Sequence, residues 1–209
     1  MRFDLGPLRL DISYPLAAAM ALILICDKSM SAAVCFLAVI IHESGHLLML
    51  ARIGSFPRHI KLTLFDIAIA DEKKPLRSFS RELAVVLAGV AVNLLTGTVS
   101  FLAGKWLCLP MLTSFAGANF SLALFNSLPA DSLDGGQALL LILCEKLPLN
   151  KAFAAADIIS FIVLIPCCVL GFWLLLRSRY NYTLLVSSVY LMTLILIRKS
   201  KAFPLKSGM

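Results

Sequence analysis

Long apolar stretches separated by short polar segments run along nearly the whole chain. A helix that spans a bilayer needs ~20 predominantly apolar residues, and six stretches approach or reach that length, the first being the shortest. They are 13–26, 29–51, 81–104, 111–129 (with a continuation past 137 as a variant), 154–176 and 182–197. The pattern predicts an all-α polytopic membrane protein with about six transmembrane helices, forming a single integral-membrane domain over 1–209.

The segment 58–71 has a different pattern. Apolar residues alternate with Lys61 and Thr63, and the alternation resumes at Ile67 and Ile69. A period of two residues is typical of short strands. We therefore predict a small membrane-associated β element near 58–71, with an amphipathic surface loop as the alternative.

Composition and charge support a membrane protein and indicate its orientation. Hydrophobic residues make up 60% of the chain, against roughly 45–50% in soluble domains. The net charge of +7 could suggest nucleic acid, but six spans would place only Lys28, Lys105, Arg177 and Arg179, four of the 19 Lys and Arg residues, opposite the termini. Because basic residues concentrate on the cytoplasmic side, we predict a multi-pass cell-membrane protein with cytoplasmic termini and no nucleic-acid partner.

One apolar stretch contains the motif His42-Glu43-Ser44-Gly45-His46. Helical residues at i and i+4 share a face, so His42 and His46 can hold one Zn²⁺ ion per chain, while Glu43 lies near enough to act as a base on water. Ionisable residues inside a span are costly and usually mark function. The motif therefore predicts a metal site with Glu43 as its catalytic residue. The alternative is a chance match within a spanning helix.

A catalytic zinc site usually has three protein ligands, and Asp134 is the best third candidate. It lies in the segment 126–136, NSLPADSLDGG, whose Pro and Gly residues interrupt an apolar region. Irregular backbone at membrane depth is tolerated where it lines a cavity. The alternative is an ordinary cytoplasmic turn capped by Asp134. We predict that the stretch is extended or turned, and that Gly135 and Gly136 disfavour a helix just beyond Asp134.

These motifs resemble the site-2 protease family of intramembrane zinc metalloproteases, which share an HExxH helix and a downstream NxxPxxxLDG segment. The resemblance implies that His42, His46 and Asp134 bind zinc and that Glu43 is the catalytic base. It also implies a membrane-protein substrate, held in extended form by a strand-like element, and allows for a regulatory membrane partner. The layout is most similar to the sporulation-type branch, although the C-terminal nucleotide-sensing repeats of that branch are not in the sequence.

Two asparagines are candidates for contact with the substrate. The family's Gly-Pro-x-x-Asn element resembles the segment 88–93, AGVAVN, in which Val90 stands where Pro is common. Asn93 in that element and Asn126 could donate hydrogen bonds to the substrate or to a developing oxyanion. Hydrogen bonding between helices is the alternative for both.

Two other functions share the HExxH motif or the metal site. A prenyl-processing type of membrane metalloprotease would take a Glu from a later motif, here Glu145, but the following Leu147-Pro148 breaks the helix that would display a second ligand. A zinc transporter or sensor is the non-enzymatic alternative. Transporters usually distribute polar ligands over several spans, whereas the last two apolar stretches contain no His and a single acid, Asp157, near an end.

Overall fold

The computed structural model describes residues 2–5, 8–27, 30–55, 57, 59–62, 67–70, 78–178 and 183–202. Within these residues the chain is mainly helical, with seven helices and four short strands. It divides into two compact units, Met1–Leu124 and Phe125–Met209.

The first unit contains a four-stranded sheet in the order β1-β2-β3-β4. The strands are β1 (Arg2–Leu5), β2 (Leu8–Ile12), β3 (His59–Leu62) and β4 (Ile67–Ala70). β3 pairs antiparallel with β4, and β2 lies parallel to β3 with Leu10 in register with Ile60. Strands therefore occupy parts of the segment 58–71, whose residues 58, 63–66 and 71 lie outside the described residues.

The N-terminal strand pair was not expected from the sequence. Apolar residues alternate at Phe3 and Leu5 and again at Leu8, Leu10 and Ile12, on either side of a Gly-Pro dipeptide. This arrangement is a hairpin signal, and β1 does pair antiparallel with β2. The sheet therefore has two strands beyond those in the segment 58–71.

Besides the sheet, the first unit contains three helices and most of a fourth. They are α1 (Tyr14–Cys26), α2 (Ser31–Arg52), α3 (Phe79–Trp106) and α4 (Pro110–Asn126). Glycine allows α2 and α3 to approach closely, because a Cβ atom on Gly45 would lie 2.8 Å from the Ala88 carbonyl oxygen on α3. Small residues at the contact are the usual way in which membrane helices bring their backbones together.

The second unit comprises the end of α4, then α5 (Asp134–Lys146), α6 (Leu149–Ser178) and α7 (Thr183–Ala202). α5 packs on α6, and α6 packs on α7. Ala130 and Leu133, from the turn between α4 and α5, are buried in one apolar cluster with Leu164, Leu191 and Ile195. The turn is thereby fixed to the two long helices of its own unit.

Helix α5 corrects two expectations about the region around Asp134. The chain turns after Asn126 and starts a new helix at Asp134, so the fourth apolar stretch does not continue as one helix past 137. Gly135 and Gly136 lie inside the first turn of α5, where the sequence predicted no helix. They are needed for packing, because a Cβ on Gly135 would overlap the Ser127 carbonyl oxygen, and one on Gly136 the Ala130 carbonyl oxygen.

The helices identify a membrane protein. Three of the described helices, Ser31–Arg52, Phe79–Trp106 and Leu149–Arg177, are long and apolar enough to cross a bilayer. The first apolar stretch forms α1, which has 13 residues and is shorter than a typical span. The total of six spans therefore stays a prediction.

Candidate metal centre

Two histidines face one another on α2 in the first unit. His42 is buried, with 4% of its surface exposed, and His46 is half-buried one helical turn later. Their rings meet edge to face with centroids 4.8 Å apart, and their Nε2 atoms are 3.2 Å apart. The helix thus directs one ring nitrogen from each residue to the same point.

The separation of these nitrogens fits a shared zinc ion. Zn–N bonds are about 2.05 Å long, so two nitrogens of one tetrahedral ion lie roughly 3.3 Å apart. The observed 3.2 Å needs no rearrangement of either ring. The histidine pair therefore suits the geometry and the ligand type that zinc prefers.

The carbonyl group of Val85 on α3 fixes the orientation of His46. The Nδ1 atom of His46 lies 2.8 Å from the Val85 oxygen. A carbonyl oxygen can only accept, so Nδ1 carries the proton and Nε2 keeps its lone pair in the neutral ring. A backbone carbonyl in this position is the usual partner of a metal-binding histidine, and the sequence carried no signal for it.

Gly89 of α3 makes room for the two imidazoles. A Cβ on Gly89 would overlap Nε2 of His46 and would lie 2.8 Å from both Cε1 and Nε2 of His42. The missing side chain therefore leaves the space that the histidine rings occupy. The sequence pointed to this residue only through the resemblance of 88–93 to a family element, without assigning it a role.

We expect Gly89→Ala to disrupt the metal site. The added methyl must displace at least one imidazole, so zinc affinity should fall by at least the ~10–100-fold seen when outer-shell partners of metal ligands are changed. Zinc affinity of the purified variant, measured by competition with a chromophoric chelator, checks this. Gly117→Ala on α4 is the matched control, because a Cβ there would meet nothing within 4 Å. Equal affinity in both variants would contradict the steric role of Gly89.

Asp134, the carboxylate predicted as third ligand, belongs to the second unit. It is the first residue of α5 and is half-buried. The start of a helix favours a negatively charged side chain, which is the form that binds a metal. Its role as third ligand to the histidine pair stays a prediction. Glu145, the alternative third ligand, is exposed near the end of α5.

The other predicted site residues lie on the same helices or next to them. Glu43 follows His42 on α2 and is half-buried. Asn93 is fully buried on α3, four residues after Gly89 and thus on the same helical face. Asn126 is the last residue of α4 and is half-buried. Their assigned roles stay predictions.

Comparisons with known proteins agree with this fold. No protein-family model matches the chain. The stage IV sporulation protein FB of Bacillus subtilis (strain 168) is 28% identical over 149 residues, covering 70% of this chain and 51% of that protein. The chain therefore spans about half the length of this curated relative. The solved structure of the site-2 protease from Methanocaldococcus jannaschii matches with a TM-score of 0.60 at 22% identity, covering 92% of each chain.

The fold and the histidine pair define a membrane-embedded protein with a candidate metal centre. The structural match shows that this fold is the one seen in a site-2 protease. The sequence relative is a protein named for sporulation.

Proposed function

We propose that this chain is an intramembrane zinc metalloprotease that hydrolyses peptide bonds of membrane-protein substrates. The observation that carries the proposal is the pair of Nε2 atoms 3.2 Å apart on an apolar helix, with His46 oriented by the Val85 carbonyl. Ionisable side chains are energetically costly inside a membrane span and usually mark a functional site. The name of the structurally similar protein, a site-2 protease, supports a proteolytic use.

In this proposal, His42, His46 and Asp134 hold one zinc ion per chain. A zinc ion with three protein ligands supplies a nucleophilic water at neutral pH and polarises a carbonyl group. Glu43 accepts the proton of the attacking water and later passes a proton to the leaving amine. Its position next to His42 on α2 suits a base that is not itself a ligand.

Asn93 is proposed to bind the substrate backbone. Its side chain is fully buried, and among the described residues neither its Oδ1 nor its Nδ2 has a hydrogen-bond partner. A buried polar group without a partner costs about 1–3 kcal/mol, so the amide is suited to a partner that arrives with the substrate. A peptide group offers both the donor and the acceptor that an amide requires. Asn126, at the end of α4, is proposed to share this role.

The substrate is proposed to enter in an extended form. A peptide bond inside a helix is shielded, and an unwound segment in a membrane needs new hydrogen-bond partners. β4 is an edge strand of the sheet and could pair with such a segment. The proposed substrate is a transmembrane protein in the lipid bilayer. A regulatory membrane partner is proposed to control its cleavage, as in regulated intramembrane proteolysis.

We expect cleavage to occur within or near the cytoplasmic side of the bilayer. The loop between α2 and α3 is rich in Lys and Arg, and His42 and His46 lie in the second half of α2, towards that loop. By the positive-inside rule the loop and both termini are cytoplasmic. Single cysteines introduced into the loop should react with an impermeant thiol reagent only after the cells are opened. Labelling from outside intact cells would contradict the orientation.

The function itself is tested by comparing two activities of the purified protein. Reconstituted with a transmembrane substrate, it should release cleavage products, and zinc-loaded vesicles should show no zinc flux through it. Zinc transport without cleavage of any transmembrane substrate tested would identify a transporter and contradict the protease assignment.

A further inference from the structure

A buried serine on α6 holds the turn that leads to Asp134. Ser160 is 1% exposed, and its Oγ accepts a hydrogen bond of 3.1 Å from the backbone N–H of Asp131. The hydroxyl proton is shared between the carbonyl oxygens of Ala156, at 2.8 Å, and Pro129, at 3.2 Å. One side chain thus ties α6 to two successive peptide groups of the turn.

The turn also contains backbone hydrogen bonds of its own. Between the end of α4 and the start of α5, three backbone N–H groups donate to backbone carbonyl oxygens: Leu128 to Phe125, Ala130 to Leu128 and Leu133 to Ala130. None of these uses the Asp131 N–H or the Pro129 carbonyl as its bonding atom. In a partly buried turn both groups favour a partner, and Ser160 supplies one.

The turn also makes apolar contacts within its unit. Ala130 and Leu133 are buried against Leu164, Leu191 and Ile195. Apolar packing is non-directional, so it holds the turn against α6 and α7 without fixing the peptide planes. A hydroxyl bonded on both sides fixes them within a few tenths of an ångström of one position. The peptide it orients is three residues before Asp134.

We propose that Ser160 is a positioning residue for the metal site, which sets the backbone of the 129–131 turn and through it the direction of the Asp134 carboxylate. The inference rests on the proposed function, because it takes Asp134 as a zinc ligand. Ser160 touches neither the metal ligands nor the substrate in this role. It acts in the same way as the outer-shell partners that orient ligands in other metal sites.

The test is zinc affinity of the purified full chain, measured by chelator competition. Ser160→Ala should weaken zinc binding by ~10–100-fold, the range typical of outer-shell changes. Thr193→Ala on α7 is the matched control, because that exposed hydroxyl donates to the Val189 carbonyl within its own helix. It should leave zinc affinity unchanged.

A double variant separates a positioning role from a general loss of stability. If Ser160 acts through Asp134, then Ser160→Ala should have no further effect on zinc affinity in an Asp134→Asn background, since coupled residues are non-additive. Equal additional losses in both backgrounds would overturn the proposal. If Asp134→Asn alone leaves zinc affinity unchanged, the ligand set of the proposed function is wrong, which is a different failure.

A spectroscopic readout keeps the test independent of activity. With Co²⁺ in place of zinc, the visible absorption of the site should shift in Ser160→Ala and remain unchanged in Thr193→Ala. Ser160→Cys provides a nearly isosteric second variant that packs like serine but hydrogen-bonds weakly. It should show a smaller loss of zinc affinity than alanine. Wild-type affinity and an unshifted spectrum in both Ser160 variants would overturn the proposal.

Discussion

Replacing Glu43 by glutamine will leave zinc bound and remove proteolysis. Glutamine has the shape of glutamate but cannot take a proton from water, and general-base catalysis contributes typically 10²–10⁴-fold to a rate. Because Glu43 is proposed as a base and not as a ligand, zinc content should stay at one ion per chain. Metal analysis and cleavage of a reconstituted transmembrane substrate measure the two quantities on the same sample.

Glu145→Gln is the matched control for this substitution. Glu145 is exposed near the end of α5 and is not one of the proposed zinc ligands. Its variant should retain both zinc and cleavage. Cleavage at near wild-type rate by a zinc-replete Glu43→Gln variant would show that another group acts as the base.

The second large effect is expected from Asp134→Asn, which should lower zinc affinity and abolish cleavage. A neutral amide replaces a carboxylate ligand, so the loss of zinc affinity should exceed the ~10–100-fold of outer-shell changes. Asp131→Asn, three residues earlier, should reduce activity only modestly, because the contact it makes with Ser160 comes from the backbone N–H, which the substitution retains. Zinc content and cleavage should be measured for both variants.

The reverse pattern would show that Asp131, and not Asp134, is the metal ligand. If Asp131→Asn empties the site and Asp134→Asn does not, the turn between α4 and α5 presents its carboxylates differently from the family's pattern. The two variants form a close comparison, since both change one carboxylate to an amide within the same short segment.

Local sequence patterns predicted the helices and the histidine pair. Helical periodicity depends on residues three to four positions apart, so the stretches at 29–51 and 81–104 closely match α2 and α3. The same local rule placed His42 and His46 on one face. The N-terminal strand pair also has a local signal in its alternating apolar residues.

The long-range features could not be read from the sequence. The Val85 carbonyl that orients His46 lies 39 residues away along the chain, and a backbone group has no residue type that marks it. Ser160 lies 29 residues from Asp131, in a helix where serine is not unusual. The low helix propensity of glycine predicted that the Gly135-Gly136 pair would break a helix. In the folded turn the pair lies within α5, where the close Ser127 and Ala130 carbonyls leave no room for a Cβ atom. That contact cannot be read from the local sequence.

Removal and return of the metal is the measurement that tests the central claim most directly. The purified chain, reconstituted with a transmembrane substrate, is treated with a zinc chelator and then supplied with zinc. We expect cleavage to stop on chelation, to return when one zinc ion per chain is restored, and to be absent from the Glu43→Gln variant throughout. Cleavage that continues in the metal-free protein would contradict a zinc-dependent mechanism.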